Sequence, residues 1–415
     1  MRRLVSMALA AALVIGCSPA GTPILANPPA PRPSIAPPTA MPSPIQDPLP
    51  VVLPRDDGPH DRLTEWWYYT GHLVAQGSNQ RDGYRIEPQR FGFEFVIFRA
   101  ERGSFPTTWA SHLAITDELG KTFHYAQRLE VGDGVDRSPR DDDDTPTGFD
   151  LSLTGADPTD PSTLGRAGWS MSGSDGTDVL SASIDPAEAA TQATVPMALD
   201  LRLVSRKPPA LHDRDGWIDF GPGGGSYYYS RTDMAADGSL RLGDDRYQVD
   251  GQAWFDHQWG DFISVGGGGW DWFAINLDDS TDITLSLVRD ADGSYPLIYG
   301  TLVRPDGRTV HLDRDAFDVR TSGTWTSPMT GAIYPAAWSI AIPGEDLSVQ
   351  LTPTVAGQEL DTRATTGVVY WEGSQKVTAR RGPGGRGGPG LGGQAYVELT
   401  GYAPSGAAPG ASIAP

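Results

Sequence analysis

At 415 residues and a formal charge of −20, the chain is long enough for two ordinary domains and too acidic to bind nucleic acid or anionic lipid headgroups well. A single cysteine, Cys17, excludes an intrachain disulfide, so stability has to come from core size. With 50 glycines and 36 prolines set between short aromatic runs, the composition leans to an all-β fold.

The chain opens on "MRRLVSMALAAALVIGCSPA", a basic start followed by an apolar stretch too short to span a bilayer. It reads as a signal peptide over 1–16, and "VIGC" resembles a bacterial lipobox, which would make Cys17 the lipidated first residue of the mature protein. Residues 18–50 hold 12 prolines and almost no charge. They cannot bury a core and are expected to form a tether, reaching on the order of 100 Å at ~3.1 Å per residue. From there the apolar pattern has period two. In "RFGFEFVIFRA", Phe91, Phe93, Phe95 and Ile97 share one face. "DPAEAATQA" (185–193) is the one expected helix, and "PDG" and "PGED" mark hairpin turns within 297–312 and 339–351. Antiparallel barrels are expected over 51–245 and 246–403, with a disordered tail over 404–415.

Standard chemistries find no support. The seven histidines (60, 72, 112, 124, 212, 257, 311) include no H-E-x-x-H and no i, i+4 pair, so no metal is expected. "GWSMSG" misses the G-x-S-x-G elbow by a residue. The glycine runs at 221–226 and 266–269 fit neither a P-loop nor a dinucleotide fingerprint, and no cofactor is expected.

What remains are clusters that mix acids, histidines and large aromatics: "TEWWYYTGHL" (64–73), "WASHLAIT" (109–116), "SYYYSRTD" (226–233), "AWFDHQWGDF" (253–262), "GWDWFAINLDD" (269–279) and "YWEGS" (370–374). An acid facing inward among indoles loses solvation, and its pKa rises toward the range useful for proton transfer. Alternatively the acids and histidines only satisfy Trp N–H groups and backbone in a barrel core.

In this order the clusters resemble the AttH/CrtC family of lipocalin-like exported proteins, often called predicted secreted hydrolases, with carotenoid 1,2-hydratase and kievitone hydratase among its relatives. The resemblance runs from about residue 60 to 402 and is carried most strongly by "EWWY", "GHL", "DHQWG" and "GWDW". It implies two tandem lipocalin-like antiparallel β-barrels with a ligand site toward their junction. The leading expectation is a hydrophobic small molecule hydrated across a C=C bond. A non-catalytic carrier and a secreted hydrolase are the alternatives. Asp256 is assigned as general acid, His257 as the base that orients water and Glu65 as a second carboxylate. Trp66, Trp259 and Trp272 are expected to line the site, Asp271 to orient it, and Trp67, Tyr69, His112 and Tyr228 to add ligand contacts. Strict alternation sets Asp256 and His257 on opposite faces, so a shared site requires the strand to end or bulge there, near Gly260.

Overall fold

The computed structural model describes residues 47–76, 80–81, 84–85, 87–156, 159, 161–262, 267–383 and 390–403. The signal peptide, Cys17, almost all of the tether and the tail lie outside them. The major strands are β1 (Thr64–Ala75), β2 (Arg90–Ala100), β3 (Thr108–Asp117), β4 (Thr122–Val131), β5 (Phe149–Leu153), β6 (Trp169–Ser174), β7 (Thr177–Ile184), β8 (Met197–Ser205), β9 (Gly225–Leu242) and β10 (Asp245–Gly260). They form one antiparallel sheet in the order β4-β3-β2-β1-β10-β9-β8-β7-β6-β5. Its two edges almost meet. Ser152 N–H donates to the Val135 carbonyl at 3.0 Å and Thr154 N–H to Glu130 Oε2 at 2.7 Å, so the sheet curls into a nearly closed barrel. The expected helix is present as Pro186–Thr191. Asp185 caps it by accepting from Ala187 N and Glu188 N, both at 2.8 Å.

The second sheet contains β11 (Gly267–Leu277), β12 (Asp282–Asp290), β13 (Leu297–Val303), β14 (Thr309–Asp313), β15 (Asp318–Thr321), β16 (Trp338–Ile342), β17 (Leu347–Pro353), β18 (Val369–Arg381) and β19 (Gly393–Thr400). Their order is β14-β13-β12-β11-β19-β18-β17-β16-β15, and this sheet forms a half-barrel. The two expected barrel-like domains are therefore present, with a different border. β10 pairs with both β1 and β9, so the first sheet extends to Gly260 and does not stop at 245. The expected border near 245 falls at a hairpin turn, with Gly243 at positive φ, between β9 and β10.

Period-two alternation decides what each face does. The odd positions of β1 and β2 (Trp67, Tyr69, Phe91, Phe93, Phe95) fill the first barrel together with Phe255 and Trp259. Phe273, Trp338 and Trp371 sit in the core of the second. Each such side chain contributes roughly 1.5–3 kcal/mol of burial. A third cluster joins the domains through Tyr68, Val96 and Trp254 from the first and Trp272, Ala274 and Tyr396 from the second. Gly92 permits that approach, because a Cβ there would stand 2.6 Å from the Tyr396 hydroxyl. Polar ties lock the contact. Lys207 Nζ pairs with Asp282 at 2.6 Å, and Thr232 and Asn276 also donate to that carboxylate, at 2.7 and 2.8 Å.

Candidate functional site at the domain junction

β1 and β10 run side by side without a bulge, Tyr68 opposite Asp256 and Trp67 opposite His257. The strand does end at Gly260, and β9 shifts register between Arg231 and Met234, opposite Phe255 and Ala253. From Phe255 to Gly260, however, β10 itself stays in register with both neighbours, so neither feature turns Asp256 and His257 to one side. Asp256 and His257 consequently face opposite sides of the sheet, and the single site that was to hold Asp256, His257 and Glu65 does not form.

On the junction side, the even positions line a cavity of about 130 Å³ between the two sheets. Trp66, Tyr68, Tyr228, Trp270, Trp272 and Tyr370 supply most of its wall, and Glu94, Asp256 and Glu398 supply its acids. Asp256 is held from three directions. Tyr228 Oη donates to it at 2.5 Å, Trp254 Nε1 donates at 2.6 Å, and the Ser230 hydroxyl donates as well. Trp272 Nε1 in turn donates to Tyr228 Oη at 3.0 Å. Burial nevertheless outweighs these donors and pushes the Asp256 carboxyl up to about 7. Glu398, also lifted by burial, stands at about 7, and Glu94 at about 8.

Two tyrosine–glutamate bonds cross the junction in opposite senses. Tyr68 of the first domain donates to Glu372 of the second at 2.7 Å, and Tyr370 of the second donates to Glu94 of the first at 2.8 Å. The remaining oxygen of each glutamate, Oε2, is buried without a hydrogen-bond partner. His112 stands behind this pair, with Nδ1 2.7 Å from Tyr370 Oη and Nε2 3.0 Å from Thr365 Oγ1. Burial depresses it to about 3, so it is a neutral imidazole that supports Tyr370. It contacts the lining and is not part of it.

The inner side of the same strands is chemically different. Glu65 Oε1 lies 2.7 Å from His60 Nδ1 and 2.9 Å from His257 Nε2. Trp259 stacks on His60 with ring centroids 4.1 Å apart, and Trp67 on His257 at 4.7 Å. Burial opposes the Glu65 charge, but the two imidazoles prevail and hold the carboxyl down at about 2. His60 rises against its own burial because Glu65 and Asp56 face it, whereas burial lowers His257. Among the described residues these three are the one His/Glu group whose donor atoms lie close enough, within 4.8 Å, to share an ion, and the hydrogen bonds already occupy them. Tyr69 lies in the same interior and donates to Asp178 at 2.9 Å.

Of the expected site residues, then, Asp256, Trp66, Tyr228 and Trp272 come together in the junction cavity. Glu65, His257, Trp67, Tyr69 and Trp259 are barrel interior. Asp271 lies on the far face of β11, where Tyr402 donates to both its oxygens at 3.0 Å and Arg289 stands 3.5 Å away. Glu94, Glu372 and Glu398 were missed as site residues, although the stretches that contain them stood out. Their signal is an acid at an even position among apolar neighbours, as with Glu94 between Gly92 and Val96.

Two antiparallel barrel-like sheets, packed through an aromatic junction with a cavity of carboxyl groups, define a tandem lipocalin-like protein. The AttH-like family profile matches residues 44–402, and the chain belongs to that family. Among solved structures it is similar to a Nitrosomonas europaea protein assigned to AttH, with 26% identity and a TM-score of 0.68 over 87% of this chain and 100% of that one. It also shares its fold with kievitone hydratase of Nectria haematococca, at 13% identity and a TM-score of 0.58 over 85% and 93% of the two chains. A third neighbour is CghA, crystallised with Sch210972, at 12% identity and a TM-score of 0.50 over 82% and 89%. No curated protein sequence shows significant similarity to the chain.

Proposed function

We propose that the junction cavity binds a hydrophobic small molecule and adds water across a C=C bond by acid–base catalysis. One observation carries this reading: an aromatic cavity whose acids face no cation in its lining, so that they hold protons near neutral pH. Hydration of an alkene needs a proton for one carbon, a surround that tolerates the resulting cation, and a base for the attacking water. Asp256 stores the proton. With Asp256 protonated the bond to Tyr228 runs the other way, so that Tyr228, which lines the cavity, gives its own hydroxyl proton to the substrate as it takes that of Asp256. The faces of Trp66, Trp270 and Trp272 attract the developing positive charge. Glu398, ionised in part near neutrality, accepts the proton of the water whose oxygen joins the second carbon. The fold it shares with a hydratase agrees with this chemistry without specifying it.

The reading is checked by incubating the protein with terpenoid and polyketide alkenes in ¹⁸O-labelled water and measuring label in the product by mass spectrometry. Asp256→Asn is expected to lower turnover by roughly 10²–10⁴ while ligand affinity barely moves. Unchanged turnover in a folded Asp256→Asn protein rules out the assignment.

We further propose that this chemistry operates at a bacterial envelope, with the chain lipidated at Cys17 and held out by its Pro-rich tether; the support is the "VIGC" stretch and the composition of 18–50. Cys17→Ser is expected to move the protein from the membrane pellet to the soluble fraction. Persistent membrane association would refute the anchor.

A further inference from the structure

The acids of the junction cavity are unbalanced. Among the described residues that line it there is no lysine, arginine or histidine, yet Glu94, Asp256 and Glu398 all face it. Buried carboxyls are ordinarily matched by a cation or fully hydrogen-bonded. Asp256 meets the second condition, with donors on both oxygens. Glu94 meets neither. Its Oε1 accepts from Tyr370, while Oε2 is buried with no partner, in a residue only 1% exposed. A protein group does not complete it, and a ligand group can.

The pairing register separates the two acids. Asp256 lies opposite Tyr68 on β1, and Tyr68 lies opposite Val96 on β2, two residues beyond Glu94. Two strand spacings put their backbones on the order of 10 Å apart, so the two acids reach the cavity from different strands and do not share a hydrogen-bond partner. Trp66, Tyr68 and Trp272 line the same cavity, and the π-density of such rings attracts a cation. A carboxyl oxygen without a partner, aromatic rings and no competing cation are together the recognition chemistry of an alkylammonium group.

We propose that the ligand of this cavity is a hydrophobic amine, its protonated nitrogen held by Glu94 Oε2 and the aromatic rings of the lining. The inference rests on the reading of the cavity as a small-molecule site and adds the class of molecule it selects. On binding, the Glu94 proton can pass to a neutral amine, so that the complex holds an ion pair and no net charge is created. Because burial keeps Glu94 protonated at neutral pH in the free protein, Glu94 itself carries no unmatched charge in the empty cavity. A carboxylate ligand such as a fatty acid is disfavoured, because the lining holds no cation to match its buried charge.

The test uses the intact protein and matched probes: octyl and adamantyl bodies, each as primary amine, alcohol and carboxylate. Binding is followed by tryptophan fluorescence and by calorimetry at neutral pH. The expected order is amine over alcohol by about ten-fold or more, the worth of a buried hydrogen bond to a charged group, with the carboxylates weakest. Glu94→Gln, nearly isosteric, is expected to remove the preference for the amine and leave alcohol binding unchanged. Alcohols that match the amines in the parent protein overturn the inference and leave the cavity a ligand site. So does an amine preference that survives Glu94→Gln. If no probe of any charge binds, the small-molecule reading itself falls. Should Glu94→Gln fail to fold, the charge series on the parent protein decides alone.

Discussion

The two faces of the β1–β10 pair put similar residues to opposite uses. Inside the barrel, Glu65 is surrounded by imidazoles and sits at about 2; on the other face of the partner strand, next to His257 in sequence, Asp256 has only hydroxyl and indole donors and sits at about 7. Burial is nearly complete in both cases. The partner, not the depth, sets the protonation state, and the face whose acids lack cations is the one that opens on a cavity.

Removing the matched partner is the strongest way to break this comparison. Glu65→Gln leaves two buried imidazoles without their carboxylate, and truncating one member of a buried pair typically costs about 3–5 kcal/mol. Urea unfolding measures it. A loss below about 1 kcal/mol would mean that the trio is not a matched set.

Titration sharpens the comparison, because the carboxyls of the two faces respond with opposite sign. Asp256, Glu398 and Glu94 have folded pKa values of about 7, 7 and 8, above the ordinary carboxylate value near 4. Their stabilisation is full below about pH 4 and is lost as pH rises through 7 to 8, by up to about 1.4 kcal/mol per unit for each group. His60, raised by Glu65 and Asp56, loses its share in the same direction. Glu65 behaves the other way: its contribution is present above about pH 4 and lost as pH falls through about 2. Stability is therefore expected to peak on the acid side of neutral, and Asp256→Asn should flatten the alkaline limb while leaving the acid limb intact. A stability curve flat from pH 5 to 8 contradicts this.

The smallest effect concerns the crossed tyrosines. Tyr68→Phe removes one bond across the junction and Tyr370→Phe two, to Glu94 and His112, each worth about 1 kcal/mol. A double-mutant cycle tells whether the two bonds reinforce one another. Additive losses would show two independent contacts, and coupling would mark a single network of carboxyls.

Much of this was legible in the residues, and the reason is the two-residue period. Alternation separated Asp256 from His257, and the same period puts Glu65, Trp67 and Tyr69 on one face of β1 and Trp66 and Tyr68 on the other. The error lay in supposing that adjacent titratable residues had to work together, which required a bulge in β10 at Asp256 and His257; the one register shift beside them lies on β9, between Arg231 and Met234. Alternation also cannot say which face of a strand meets a second domain. Without that contact, Glu94 and Glu372 read as isolated acids in apolar strands, because their partners stand 276 and 304 residues away. The domain border was misplaced for a related reason, since a hairpin turn and a domain linker look alike locally.

The pairing of β1 with β10 has a consequence for how the molecule assembles. Glu65 and His257 meet across a separation of 192 residues, so β1 lacks one of its two neighbours until the chain is available to Gly260. Closing so long a loop adds little to the equilibrium cost, since each doubling of length adds only about 0.6 kcal/mol, but it delays completion of the sheet. Meanwhile the edge of β1 lies open to unwanted strand partners. Completion at Gly260 comes just before β11 begins at Gly267, so the first barrel closes as the second starts to form. A fragment cut at residue 245 would lack the strand that closes it, and the order of synthesis makes the junction the last surface to be built.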